Sequence, residues 1–166
     1  MKRREARALL NEAEGYTLLR RYGEAIRRIR RVGRSGHFPF ETALRRGEVH
    51  RERGRYRTGI GAYRRALSRR PGDVAATIGL GWCQKRSGAL DEAIETYRRA
   101  LPAHPSEPIL HFNLACYLSL RGDREEALAS LDQAIRIDAG YASLAREEED
   151  FAPLRQDPRF PILTDS

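Results

Sequence analysis

The sequence predicts an all-α fold: a right-handed α-solenoid of four 34-residue helix–turn–helix repeats plus a C-terminal capping helix. Internal similarity is the first observation, because segments that begin at Gly54, Gly88 and Gly122 align without gaps at a spacing of 34 residues. Within each segment, apolar residues recur three and four positions apart, which is the period of one helix face. Prolines separate the segments. A fixed period of this length indicates helix pairs that stack on one another.

The 34-residue phase holds across most of the chain and sets the element boundaries. It gives repeats at residues 6–39, 40–73, 74–107 and 108–141, followed by a capping segment at 142–166. The first helices of the repeats are predicted at 6–19, 40–53, 74–87 and 108–120, and the second helices at 22–33, 56–69, 90–101 and 124–137. The first helices share a position that holds only glycine or alanine: Ala13, Gly47, Gly81 and Ala115. Small residues there indicate that two helices approach closely.

Prolines and one aspartate predict several helix ends. Asp73 is placed to cap the third repeat, because an aspartate carboxylate accepts the free N–H groups of a first helical turn. Pro108 suits the first turn of the fourth repeat, where the missing N–H has no helical partner. Pro102 predicts that the preceding helix stops near Leu101, since proline removes a hydrogen bond inside a helix.

The third repeat carries the fullest motif, in the order Gly88, Ala93, Tyr97, Ala100 and Pro105. Together with the 34-residue period and the paired helices, this motif resembles the tetratricopeptide repeat family, and the resemblance covers residues 6–141. It implies a non-catalytic scaffold for protein–protein interactions. Three repeats depart from the family pattern: the first has Arg20 where glycine is usual, the second has Arg46 where leucine is usual, and the fourth ends with Ala139 where proline is usual.

The tail is not a fifth repeat. Residues 141–149 predict one more amphipathic helix, and the stretch after it resembles the closing segment common after bacterial repeat arrays. An array end exposes an apolar face, which a terminal helix covers. Four apolar residues of the tail are predicted to pack inward: Phe151, Leu154, Phe160 and Ile162. Asp157 and Pro158 are predicted to begin the last helix.

Composition narrows the class of protein. Hydrophobic residues make up 40% and charged residues 33% of the chain, which is too apolar for a disordered protein and too charged for a membrane protein. The basic N-terminus leads into a polar helix rather than a signal segment, so we expect a cytoplasmic protein. Its two cysteines, Cys83 and Cys116, do not form a disulfide framework. Residues 1–73 hold 21 Lys/Arg against 8 Asp/Glu, whereas residues 74–166 hold 10 against 15.

No catalytic motif occurs in the sequence. A nucleophile elbow, a phosphate-binding loop, a zinc-protease helix and a dinucleotide-binding turn are all missing. The four histidines are scattered, and the carboxylates of residues 147–150 point in different directions on a helix. We therefore expect neither an enzyme nor a cofactor or metal site.

The resemblance implies that the first helices line a groove for a peptide or protein segment. Carried onto this sequence, the predicted contact residues are Asn11, Glu14, Leu44, Glu48, Arg51, Ile78, Trp82, Lys85, Ile109, Phe112, Asn113 and Cys116. Trp82 and Phe112 are the predicted apolar anchors, since exposed aromatic residues often dominate binding energy. The alternative is that the capping segment or the next helix covers them. By family analogy, Asn11 and Asn113 would hold the backbone of the ligand.

A second hypothesis rests on arginines that recur at the repeat period. They are Arg30, Arg31, Arg64, Arg65, Arg98 and Arg99, on the outward side of the second helices. Such a ladder could bind the phosphates of a nucleic acid or another polyanion. However, no aromatic residues for base stacking interleave with it, and a solvated helix surface is the ordinary interpretation. Self-association through an open repeat face is a third alternative.

Overall fold

The structure, a computed structural model, describes residues 1–165. Within that range it contains helices and connecting turns but no strand, which confirms the predicted all-α class. The helices are α1 (Arg3–Leu18), α2 (Tyr22–Ser35), α3 (Pro39–Glu52), α4 (Tyr56–Arg69), α5 (Val74–Arg86), α6 (Leu90–Ala100), α7 (Pro108–Arg121), α8 (Arg124–Ile137), α9 (Gly140–Glu147) and α10 (Arg159–Thr164). Short 3₁₀ helices lie at Leu101–Ala103 and Glu149–Leu154. In the part of the chain thus described, no helix has the length and apolar character needed to cross a membrane.

The chain divides into two compact units. Unit 1 comprises Met1–Gly88 with α1 to α5, and unit 2 begins at Ala89 and contains α6 to α10. Their division falls inside the predicted third repeat, between its two helices. The repeat boundaries therefore stay predictions, while the helices themselves follow the expected order.

Several helix ends form where the local sequence predicts them. The Oδ1 atom of Asp73 accepts a hydrogen bond of 2.9 Å from the Ala76 N–H and caps α5. Pro108 is the first residue of α7. Helix α6 ends at Ala100, just before the 3₁₀ turn that contains Pro102. Capping and proline geometry are local effects, so they need no knowledge of the rest of the fold.

One hydrophobic cluster in the core of unit 1, which we call the Tyr63 core, is built around the buried ring of Tyr63 on α4. A methyl group added at Gly47 would lie 2.7 Å from this ring, and one at Gly79 would overlap it outright. The small position predicted at Gly47 is thus explained by an aromatic ring that fills the space beside it. Burial also raises the pKa of the Tyr63 hydroxyl, because the apolar surroundings disfavour a phenolate.

The core of unit 2 extends into the C-terminal tail. The ring of Phe151 lies 5.4 Å from that of Phe112 on α7 and 5.8 Å from that of Phe160 on α10. The Ser119 hydroxyl donates a 2.8 Å hydrogen bond to the carbonyl of Asp150 and thereby links α7 to the 3₁₀ helix of the tail. Phe151, Leu154 and Phe160 are buried as predicted.

Two details of the tail differ from the prediction. The helix predicted over residues 141–149 ends at Glu147, where the chain turns into a 3₁₀ helix. The inward packing predicted for Ile162 is wrong, because its side chain is 69% exposed. Phe160 and Thr164, four residues apart, occupy the buried face of α10 and leave Ile162 on the other side.

Candidate functional site

An aromatic box surrounds the one tryptophan of the chain, and it lies wholly within unit 1. Trp82 on α5 is 36% exposed, and its ring meets that of Tyr56 edge to face at 5.4 Å. The guanidinium of Arg51 lies 5.8 Å from the Trp82 ring centre, and that of Arg86 lies 5.6 Å from both rings. Stacked guanidiniums and the partner ring hold the indole in place without covering it.

A charged cleft of about 390 Å³ lies on the same unit, between the ends of α1, α2 and α3. Its lining residues are Glu14, Thr17, Leu18, Arg20, Tyr22, Arg45, Glu48, Arg51 and Glu52. Arg45 bridges two carboxylates, at 2.7 Å to Glu14 and 2.9 Å to Glu48. The cleft therefore has a fixed polar wall formed by α1 and α3.

Arg51 belongs to both the aromatic box and the charged cleft. Its guanidinium bonds the Glu52 carboxylate at 2.9 Å while stacking near Trp82. Burial lowers the pKa of Arg51, but the nearby Tyr63 hydroxyl and the Glu52 and Glu48 carboxylates together raise it by more, so the side chain stays cationic. The box and the cleft share Arg51, and together we call them the Trp82 surface.

Half of the eight site residues predicted in unit 1, Glu14, Glu48, Arg51 and Trp82, belong to the Trp82 surface. Asn11 is exposed on α1, and Glu14, Glu48 and Arg51 line the cleft. Leu44, Ile78 and Lys85 are only half-buried. The Leu44 side chain packs against the Tyr63 core, so its role is in packing rather than in contact with a ligand.

The predicted site residues of unit 2 are mostly covered. Phe112 is 6% exposed, because the rings of Tyr141 and Phe151 close over it at 5.1 and 5.4 Å. Cys116 is buried as well, while Ile109 and Asn113 are half-buried. The expectation of an exposed apolar strip at Phe112 is thus wrong, and the alternative of coverage by the capping segment is correct. The physical reason is that the tail folds back onto α7.

Eight residues of the Trp82 surface are not among the predicted contact residues: Thr17, Leu18, Arg20, Tyr22, Arg45, Glu52, Tyr56 and Arg86. Tyr56 and Arg86 form the box, and Arg45 bridges the carboxylates of the cleft. Tyr56 starts a second helix, whereas the family pattern assigns ligand contacts to first helices. The sequence does carry one signal, since five of the seven tyrosines and the tryptophan lie in residues 1–97 beside an excess of arginine.

Both cysteines are buried and do not belong to the Trp82 surface. Among residues 1–165, no group of three or more histidine, cysteine or acidic side chains is placed to hold a metal ion. Burial raises the pKa of the Cys83 thiol to about 11, which leaves it protonated and unreactive near neutral pH. The Cys116 thiol is buried too.

Known proteins that resemble this chain are also built from helical repeats. Family models described as tetratricopeptide repeat match residues 44–108 and 109–141. A crystal structure of MamA superposes with a TM-score of 0.76 and 16% identity, covering 97% of this chain and 85% of that chain. YrrB, described as a TPR protein with an unusual peptide-binding site, gives a TM-score of 0.71 and 24% identity over 86% of this chain and 75% of its own. At these sequence identities, the structural similarity establishes the fold alone. Among curated proteins, none matches the sequence.

Proposed function

The chain belongs to the tetratricopeptide repeat family, and from this premise we propose that it is a non-catalytic scaffold whose Trp82 surface binds a segment of a partner protein. Repeat proteins of this kind use the surface of stacked helices as a rigid platform. The single observation that carries the proposal is a half-exposed tryptophan fixed by Tyr56, Arg51 and Arg86.

A rigid aromatic side chain suits this role for an energetic reason. A flexible side chain loses rotamer freedom when a ligand binds, whereas the Trp82 ring is already fixed by its neighbours. Trp, Tyr and Arg are also the residues most enriched among those that dominate binding energy. The box therefore provides a pre-organised apolar contact for one side chain of the partner.

The charges around the box indicate the kind of segment that fits. Arg20 lines the cleft and Arg86 flanks the indole, and within the described residues neither makes an ion pair. By contrast, Glu14 and Glu48 are already neutralised by Arg45. A segment with one apolar side chain and neighbouring carboxylates matches this surface, because the free cations would attract its acidic groups.

A displayed library of random twelve-residue peptides tests the proposal on the full chain. We expect the wild-type protein to enrich peptides with an apolar residue flanked by Asp or Glu. Trp82→Ala should weaken a selected peptide about thirtyfold, the loss typical of a dominant aromatic contact worth roughly 2 kcal/mol. Arg86→Ala should weaken it less, since the neighbouring cations remain.

Leu144→Ala is the matched control. Leu144 is an apolar side chain of unit 2 with 52% exposure, so its removal tests whether any exposed hydrophobic residue matters. Peptides should bind this variant as they bind the wild type. Equal enrichment by Trp82→Ala and wild type would refute the role of the Trp82 surface.

The arginine ladder of the second hypothesis receives less support. Arg31 pairs with Glu5 at 2.5 Å, Arg98 with Glu126 at 2.6 Å and Arg99 with Glu95 at 2.8 Å. Half of the ladder is therefore neutralised by carboxylates of the same chain. The ladder as a whole is therefore not the binding site we propose, although two of its members, Arg30 and Arg65, make no ion pair within residues 1–165. Self-association is an outcome that the size of the protein in solution would reveal.

A further inference from the structure

The acidic residues of the N-terminal half are all engaged within unit 1. Asp73 caps α5, and each glutamate forms an ion pair with arginine. The pairs are Glu5–Arg31, Glu12–Arg28, Glu14–Arg45, Glu24–Arg21, Glu41–Arg70, Glu48–Arg45 and Glu52–Arg51. With 21 Lys/Arg against 8 Asp/Glu in residues 1–73, many arginines there have no acidic partner to meet.

Four of these surplus arginines gather around His50 on α3. Arg46 lies four residues before His50 on the same face of α3, and Arg53 directly follows the end of that helix. Arg55 follows in the turn, and its backbone N–H donates a 2.8 Å hydrogen bond to the His50 carbonyl. Arg30 approaches from α2, which packs against α3. Within residues 1–165, none of the four guanidiniums forms an ion pair.

The positive charge of these four arginines acts on the side chain of His50. Its ring is 7% exposed, and its Nδ1 atom has no hydrogen-bond partner in the described part of the protein. Burial lowers the pKa of the imidazole, and repulsion from Arg46, Arg55, Arg53 and Arg30 lowers it further. We name this group of four arginines around the histidine the His50 patch.

The positive surface continues beside the patch. Arg46 also lines a groove of about 190 Å³, together with Gly33 of α2 and Arg65 of α4. Arg65, like the four arginines of the patch, has no ion pair among residues 1–165. Free guanidiniums thus lie on three helices and one turn, spread over a surface rather than converging on one point.

We propose that the His50 patch, extended by Arg65, binds the phosphate backbone of a nucleic acid. The planar guanidinium fork of arginine matches the two oxygens of a phosphate group. A single small anion would engage only one or two of these side chains, whereas a phosphodiester backbone presents a row of charges. The patch uses residues other than the Trp82 surface, so it adds a second binding function to the scaffold.

Fluorescence anisotropy with a labelled 20-base-pair DNA duplex of arbitrary sequence tests the proposal on the full chain. We expect binding that weakens steeply as NaCl rises, because the phosphates release counterions. The double variant Arg46→Ala/Arg55→Ala should bind at least tenfold more weakly. Its plot of log affinity against log salt should be shallower by about 2, one for each lost phosphate contact.

The control variant is Arg99→Ala/Arg136→Ala. It removes the same charge from two arginines that are already paired, with Glu95 and Asp132 of unit 2. It should retain the duplex with less than a twofold change. A loss of affinity equal to that of the patch variant, or no binding by the wild type, would overturn the proposal.

The titration of His50, followed by NMR, gives a second readout that a folding defect would not imitate. Bound phosphates offset the repulsion from the four guanidiniums, so the duplex should raise the pKa of His50 toward its ordinary value. Arg46→Ala/Arg55→Ala should raise it without DNA. An unchanged pKa at saturating duplex would place the DNA elsewhere and refute the patch. Trp82→Ala should leave duplex binding intact, which separates failure of this site from failure of the peptide site.

Discussion

Arg20 stands at a turn where the repeat phase favours glycine, and its backbone shows why. Its φ is +56°, in the left-handed region, whereas Gly54, Gly88 and Gly122 take φ values of +73°, +85° and +95° at the equivalent turns. A side chain in that region brings Cβ too close to the following carbonyl oxygen, at a cost of about 1 kcal/mol. The first turn therefore keeps the shape of the others with a strained residue.

Replacing Arg20 by glycine should stabilise unit 1. We expect a gain of about 0.5–1 kcal/mol in the free energy of unfolding, since relief of backbone strain exceeds the added freedom of the unfolded chain. Urea unfolding followed by circular dichroism measures it. Gly122→Ala is the reciprocal variant, because a methyl group there meets no atom within 4 Å and tests backbone strain alone. It should lose a similar amount, and a gain from Gly122→Ala would contradict the argument.

At the scale of elements, the C-terminal segment is part of the core of unit 2. Its 3₁₀ helix brings Phe151 and Leu154 into full burial, and Phe112 of α7 lies beneath them. The segment thus closes the apolar face of α7 that would otherwise meet water. This coverage removes Phe112 and Cys116 from the candidate interface.

Truncation of Phe151 tests how much the segment contributes. Phe151→Ala should lower the stability of unit 2 by about 3–5 kcal/mol, the cost of a large cavity at a site with two neighbouring rings. Ile162→Ala removes an exposed side chain of the same segment and should change stability by less than about 0.5 kcal/mol. Thermal unfolding of the two variants compares them directly. Similar losses in both would mean that the segment does not pack as described.

The elements show which features a sequence can predict. The Asp73 cap and the stop before Pro102 depend on neighbours in the chain, so they were predictable. The inward packing of Phe151 was predictable because an array end exposes an apolar face that the tail must cover, although the sequence does not say which ring it meets. The coverage of Phe112 and the contact between Tyr56 and Trp82 join residues of different helices. The 34-residue repeat pattern predicts the helix face on which each residue lies, but it does not predict which aromatic ring from a distant helix packs against that residue.

At the scale of the whole molecule, charge is distributed unevenly along the chain. The net charge is +8, and the excess of arginine lies in residues 1–73. Because every acidic side chain of that half is already paired or used as a cap, the surplus arginines repel one another across the surface of unit 1.

Salt should therefore stabilise the protein. Raising NaCl from 20 to 200 mM shortens the range of repulsion, and we expect the unfolding temperature to rise by about 2–4 °C, equivalent to roughly 1 kcal/mol. Differential scanning calorimetry measures the shift. Arg46→Ala/Arg55→Ala, with two fewer positive charges, should show a smaller rise. A lower unfolding temperature in high salt would mean that the ion pairs outweigh the repulsion.

The position of Arg51 has a consequence for how the Trp82 surface responds to a ligand. One guanidinium serves both the indole and the Glu52 carboxylate, so an acidic ligand group that draws Arg51 into the cleft changes the stacking on Trp82. Occupation of the cleft and occupation of the box are then thermodynamically linked, with one coupling free energy that acts equally in both directions. For a partner that fills both the cleft and the box, the binding free energy differs from the sum of the two separate contributions by this coupling free energy. Arg51 determines whether the coupling strengthens or weakens binding.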